Sequence, residues 1–326
     1  MGRVAFVFPG QGSQRVGMGA DLTKHWPYLI DTYYGPADEI LGLPLSSLCW
    51  EGPAETLRDM RITQPAVLLT SVATLDVLRT QGVWPDAVAG HSLGEFSALV
   101  CAGVLEWRDA LRLVRVRGEL MTSVTEQVPG KMAAVVGLTL DQVEELCGRA
   151  AADTGEVVEI ANHNDITQVV ISGRVGAVDR LVELVHDAGA DRVVVLEIGG
   201  PAHCSLMGGI EEEFAAALDD VEFREPVVPM YSGSGGEAVT SAARARKFLR
   251  RQLTGRVLWT DVVGRMAAEG VDRFVEVGPG KVLSRLCGRL APGAQTHRTN
   301  DVHQVKLAVD AVLPGEGGER HARQTR

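Results

Sequence analysis

The segment Gly90-His91-Ser92-Leu93-Gly94 narrows most sharply what this chain can fold into. A serine in a G-x-S-x-G frame exposes its Oγ on a sharp turn between a strand and a helix. Glycines two residues to either side remove the Cβ atoms that would collide there. The flanks fit that demand. Asp86-Ala87-Val88-Ala89-Gly90 reads as a short apolar strand after the breaker Trp84-Pro85, and residues 95–102 read as a small-residue helix ending near Gly103. Ser92 is therefore a candidate nucleophile.

The rest of the chain supplies a matching rhythm. A strand at 4–8, a polar loop, helices around 53–60 and 64–81, the elbow, and a helix at 107–124 alternate as in an α/β fold with a mainly parallel sheet. Between 130 and 198 the order becomes strand 131–138, helix 140–152, strands 157–161 and 168–172, helix 175–188 and strand 192–198. That βαββαβ order is ferredoxin-like. It predicts a small subdomain at 129–198 inserted into a catalytic subdomain made of 1–128 and 199–312. The α/β pattern resumes with helix 204–218, strand 227–231, helices 242–253 and 259–269, strand 273–277 and helix 302–312. Residues 313–326, rich in glycine and charge, are expected to form a disordered tail.

Composition excludes several function classes. With 326 residues, 45% hydrophobic and 23% charged, the chain reads as globular and large enough for a substantial core. Its apolar runs, such as Val193 to Leu196, fall far short of the roughly 20 residues of a membrane span. It opens on strand-like Val4 to Phe8 rather than a signal peptide, so a cytoplasmic protein is expected. Cys49, Cys101, Cys147, Cys204 and Cys287 are odd in number and scattered, which predicts reduced thiols and no zinc site. No metal and no cofactor are expected, and a monomer is. A net charge of −10 argues against nucleic acid as a partner. An acidic partner would need a local basic patch, for which Arg244, Arg246, Lys247, Arg250 and Arg251 on one helix are candidates. A solvated helix face explains them equally well.

Ser92 needs a base, and eight histidines are available. His91 should point away from its neighbour's side chain, which suits a structural hydrogen bond. His203 follows the last strand of the insert, where loops of an open sheet converge. Its rivals are His297 or His303, after the last strand, oriented by Asp272 or Glu276. His25, His163, His186 and His321 read as surface or loop residues. Phe8-Pro9-Gly10-Gln11-Gly12-Ser13-Gln14 follows the first strand but lacks the lysine and spacing of a phosphate-binding loop. Its glycines let the Gln11 backbone approach another group closely. The Gln11 N–H is thus a candidate oxyanion donor, with the N–H of Leu93 as the second.

Six segments then fall in a recognisable order: Gly10 to Gln14, Gly90 to Glu95, Arg117 in Val116-Arg117-Gly118-Glu119, Pro201-Ala202-His203-Cys204, Gln252-Leu253, and Glu276-Val277-Gly278-Pro279-Gly280-Lys281. Together, over about residues 3–310, they resemble the malonyl-CoA:acyl-carrier-protein transacylase family, including discrete acyltransferases that serve polyketide synthases. The resemblance implies an α/β-hydrolase-like subdomain carrying a ferredoxin-like one. It implies ping-pong transfer of a malonyl group from CoA to the phosphopantetheine thiol of an acyl carrier protein, in fatty acid or polyketide synthesis. An acyl hydrolase or thioesterase acting on carrier proteins is the alternative with the same nucleophile. By this resemblance Ser92 is acylated, His203 is the base, the Gln252 backbone carbonyl orients it in place of a triad acid, and Gln11 and Leu93 supply the oxyanion hole. Asn162 lies near the site. Arg117 holds the free carboxylate of the acyl group, bidentately, as lysine cannot; Arg112 and Arg115 read as surface charges. Ala202 departs from the family pattern, where serine or phenylalanine is usual. Its small side chain leaves room for a 2-alkylmalonyl group, while Leu93 matches the malonyl-type elbow.

Overall fold

The computed structural model describes residues 2–197 and 199–313. The disordered tail expected at 313–326 lies, from residue 314 onward, outside the described residues, as does His321.

The chain opens on β1 (Arg3–Phe8), whose Val4, Phe6 and Phe8 enter one core cluster while Ala5 and Val7 enter another. A strand buried on both faces is the mark of a parallel sheet covered on both sides. The stretch expected as a polar loop folds into a π-helical turn at Ile30–Tyr34 and three short helices, α1 (Ala20–His25), α2 (Gly35–Leu41) and α3 (Leu45–Glu51). Pro27, Gly35, Gly42 and Pro44 cut the hydrophobic pattern into pieces too short to read as helices. Leu22, Tyr34, Leu45 and Cys49 nevertheless turn inward. The helix expected at 53–60 is a turn ending in a single 3-10 turn at Thr56–Arg58. Asp59 then caps α4 (Met60–Thr80) by accepting the Arg61 N–H, so that helix starts before the expected residue 64 and carries Pro65 inside.

The elbow follows as β2 (Ala87–Gly90) and α5 (Gly94–Cys101), then α6 (Trp107–Gln127). Next come β3 (Gly130–Val136), α7 (Leu140–Thr154), β4 (Val158–Asp165), β5 (Gln168–Arg174), α8 (Val175–Asp187) and β6 (Arg192–Val195). These strands stand in the order β6-β3-β5-β4, all antiparallel. The helix expected at 204–218 is interrupted at Gly208-Gly209: a 3-10 segment, Ser205–Ile210, leads into α9 (Glu211–Asp219). Only β7 (Met230–Tyr231) remains of the strand expected at 227–231, because Pro229 lacks the N–H a longer ladder would need.

After α10 (Ala242–Gln252) comes β8 (Val257–Leu258), which sequence reading missed. It pairs in parallel with β4 and ties the antiparallel sheet to the rest of the molecule. Then follow α11 (Trp259–Ala268), β9 (Val271–Glu276), α12 (Val282–Leu290), β10 (Gln295–Arg298) and α13 (Val302–Val312). Neither α12 nor β10 was expected. Polar Gln-Thr-His-Arg at a sheet edge has no alternation to read, and α12 follows directly on the glycine-rich 278–280 turn.

The main sheet is parallel, in the order β10-β9-β1-β2-β7. The loops leaving the carboxyl ends of β1, β2, β7 and β9 all emerge on one edge, where open α/β sheets carry their sites. Among the described residues no helix is long and apolar enough to cross a membrane.

Candidate active site

Packing dictates the elbow. A Cβ on Gly90 would lie 2.1 Å from the Gly94 carbonyl carbon, and one on Gly94 would lie 2.0 Å from the Phe8 carbonyl oxygen. Only glycine allows α5 to start so close to β1 and β2. The turn leaves Ser92 with φ 53°. Among the described residues one other non-glycine residue has a left-handed backbone, His203, with φ 57°. Such conformations cost about 1 to 3 kcal/mol each and persist where the surroundings enforce them.

These two strained residues meet. Ser92 Oγ lies 2.6 Å from His203 Nε2. His203 Nδ1 lies 2.8 Å from the Gln252 carbonyl oxygen and 3.1 Å from that of Gly255. Carbonyls only accept, so Nδ1 carries the ring proton and Nε2 is left bare to accept from the Ser92 hydroxyl. Burial, reinforced by the nearby Arg117 charge, lowers the His203 pKa to about 3. The imidazole is therefore an unprotonated base throughout the neutral range, oriented by two backbone carbonyls.

His297, the rival base, sits on edge strand β10 in a separate pocket with Arg285 and Arg298, and His303 is exposed on α13. Asp272 lies 3.6 Å from Arg273, and Glu276 accepts the Ser284 N–H in the first turn of α12. Neither acid orients the Ser92 partner. His91 also borders the cleft but is engaged elsewhere: its Nε2 is 2.8 Å from Asn164 Oδ1 and its ring packs edge-on against Trp259.

A cleft of about 250 Å³ opens over Ser92, lined by Gln11, Arg117, Asn162, Ala202 and His203 among others. The Gly10 loop is folded back on the elbow: a Gly10 Cβ would lie 2.6 Å from the His91 carbonyl oxygen and 3.7 Å from the Leu93 nitrogen. Ser13 Oγ donates to the Gly10 carbonyl and Gly12 N–H to Gln14 Oε1, which fixes the turn that carries Gln11. The Leu93 side chain is buried, which leaves its backbone N–H as the group it could offer to the site. Ala202 is held by its N–H to Ser172 Oγ at 3.0 Å.

Arg117 is 1% exposed on the buried face of α6. One terminal nitrogen donates to Gln64 Oε1 at 2.8 Å, the other stands 3.4 Å from Ser92 Oγ, and Nε has no partner among the described residues. Burial lowers its pKa to about 10, which still leaves it charged at neutral pH. Arg112 and Arg115 pair with Asp109 and Glu119 on the exposed side of the same helix. Sequence reading missed Gln64, Asn164 and Glu95. Gln64 sits in α4 among several other polar residues, so nothing in its local sequence marked it out. On α10, Arg244 pairs with Glu237, while Arg246 and Arg250 lie 3.8 Å from Asp219 and Glu212. All five cysteines are free and buried.

Residues 5–304 match the family model described as the acyl transferase domain. The chain is 42% identical over 304 residues to the malonyl CoA-acyl carrier protein transacylase of Haemophilus influenzae, covering 93% of this chain and 96% of that one. Its structure superposes with a TM-score of 0.92 on the malonyl-CoA:acyl carrier protein transacylase of Xanthomonas oryzae, 37% identical over 96% of this chain and 99% of that one. A complex of a type II polyketide synthase acyl carrier protein with its malonyl-transacylase is similar at a TM-score of 0.90 and 38% identity, covering 95% of this chain and 99% of that one.

Proposed function

The chain belongs to the acyl transferase domain family, and we propose that it moves a malonyl group from coenzyme A to the phosphopantetheine thiol of an acyl carrier protein. One observation carries the choice of acyl group. The Arg117 guanidinium is buried beside Ser92 and bonds Gln64; the charge of Glu95 acts on it, but no carboxylate among the described residues lies within ion-pair distance. A dicarboxylic acyl group brings the missing anion.

His203 Nε2 takes the Ser92 proton as Oγ attacks the thioester carbonyl. The N–H groups of Gln11 and Leu93 receive the developing oxyanion. On collapse the C–S bond breaks, the His203 imidazolium returns its proton to the departing CoA thiolate, and malonyl remains on Ser92. The carrier thiol then gives its proton to His203, attacks the acyl-serine, and Ser92 Oγ leaves by recovering that proton. Gln252 supplies the carbonyl that keeps the ring turned toward Oγ. Asn162 and Ala202 both line the cleft, and the small side chain of Ala202 is where a 2-alkyl branch on the acyl group would be accommodated.

In the same reading, residues 1–128 and 199–312 form an α/β-hydrolase-like subdomain, and residues 129–198 a ferredoxin-like one. The antiparallel β6-β3-β5-β4 order with α7 packed on α8 supports the second description.

The test is to mix the protein with malonyl-CoA and a phosphopantetheinylated carrier and weigh both proteins. A malonyl mass first on Ser92 and then on the carrier is expected. Free malonate without an acylated carrier would make the protein a hydrolase. Competition among malonyl-, methylmalonyl- and ethylmalonyl-CoA measures the room beside Ala202.

A further inference from the structure

Beneath the Ser92–His203 pair lies a carboxyl group that the chemistry above leaves unused. Glu95 stands in the first turn of α5 and is 1% exposed. Its Oε2 accepts from Gln252 Nε2 at 2.9 Å and its Oε1 from Ser232 Oγ at 2.5 Å. The same Gln252 nitrogen donates to the Ser92 carbonyl at 3.0 Å. Both amide protons of Gln252 are thereby committed, while its main-chain carbonyl meets His203 Nδ1.

We propose that Glu95 is a positioning residue for His203: its carboxylate locks the Gln252 side chain against the elbow, and so fixes the carbonyl that orients the imidazole. This proposal rests on the acyl-transfer reading above. A carboxylate then does serve the base, one residue removed, where a triad would place it in direct contact.

The network has two protonation states. With Glu95 ionised, Gln252 and Ser232 both donate to it, and the bond from Gln252 is charge-assisted. With a proton on Oε1, Glu95 donates to Ser232 Oγ, whose own proton turns to Ser234 Oγ at 3.0 Å, and Ser234 donates to the Phe248 carbonyl at 3.1 Å. Gln252 then holds only a neutral acceptor. Burial pushes Glu95 up to about 7, against the pull of its hydrogen bonds and of Arg117. Around it, Arg117 from α6 stays charged, and burial keeps the imidazoles of His91 and His203 unprotonated near neutrality. Arg79 from α4 reaches the far end of α5 at Cys101. Gln252 from α10 and Ser232 and Ser234 after β7 carry no charge. Glu95 is the group that changes state near neutral pH.

The experiment measures the rate of Ser92 malonylation by rapid quench and intact mass from about pH 5.5 to 8.5. In the native protein the rate should fall as pH drops through about 7, since the ionised form is the one that locks Gln252. Glu95→Gln can accept from Gln252 and donate to Ser232, which mimics the protonated state. It should melt like the native protein, be slower by about tenfold with an unchanged KM, and show a flat pH profile. Ser232→Ala removes a donor to the carboxylate, so the acid limb should move to higher pH. A Glu95→Gln protein with native rate and native limb, or a Ser232→Ala limb that does not move, overturns the proposal. If Glu95→Gln does not fold, the Ser232→Ala limb decides alone. A native protein never malonylated on Ser92 would instead sink the acyl-transfer reading itself.

Discussion

A guanidinium taken out of water loses several kcal/mol of hydration, and Arg117 regains only part of it. It has one short bond to Gln64, a long approach to Ser92, and an unpartnered Nε among the described residues. A substrate carboxylate would complete the set. Arg117→Ala should therefore lower kcat/KM for malonyl-CoA by about 3 kcal/mol, roughly a hundredfold, the cost of leaving a buried ion unpaired. Acetyl-CoA has no carboxylate, so its rate of Ser92 acylation should hold or rise. Arg117→Lys should not restore malonyl transfer, because a point charge cannot form the forked pair. Equal losses with both donors would mean that Arg117 supports the cleft rather than binding the acyl group.

At the scale of elements, the helix after the nucleophile can start where it does only because Gly94 lacks a side chain. A methyl there would meet the Phe8 and Pro9 carbonyls, and Phe8 cannot retreat because its strand pairs on both sides. Gly94→Ala should cost at least about 1 to 3 kcal/mol, seen as a lower melting temperature together with lost acylation of Ser92. Gly148 is the contrast: it is exposed within α7, and a methyl placed there would find nothing within 4 Å, so Gly148→Ala should stabilise by about 1 kcal/mol. The same difference explains what could be read in advance. The elbow was legible because its glycines are obligatory at fixed spacing, and α6 and the βαββαβ run because their periods are long. The helices between residues 20 and 51 were not, since turns cut them to six or seven residues each. Strand β8 has two residues and no pattern of its own; it exists because β4 offers it an edge. Ser92 and Arg117 were readable from motifs, but Gln64 and Glu95 were not. Their roles arise from contacts 53 and 157 residues away, to Arg117 and Gln252, which no local spacing encodes.

For the whole molecule, charge sets the terms of any encounter. A net charge of −10 repels an acidic carrier at long range, so productive approach needs a local reversal of sign. Helix α10 offers one: Arg244, Arg246, Lys247, Arg250 and Arg251 lie on a helix without an acid, and its last residue, Gln252, reaches the site. Acidic neighbours temper that patch, since Glu237, Asp219 and Glu212 sit beside Arg244, Arg246 and Arg250. The reversal is therefore modest, and it acts on encounter more than on chemistry. Lys247→Glu combined with Arg251→Glu should raise the carrier KM severalfold while leaving the rate of Ser92 malonylation from malonyl-CoA unchanged. The difference should shrink as salt shortens the Debye length from about 10 Å at 0.1 M to about 3 Å at 1 M. A carrier KM unmoved at low salt would make α10 a solvated face. A parallel rise in the malonyl-CoA KM would mean that the patch meets the phosphates of coenzyme A rather than the carrier.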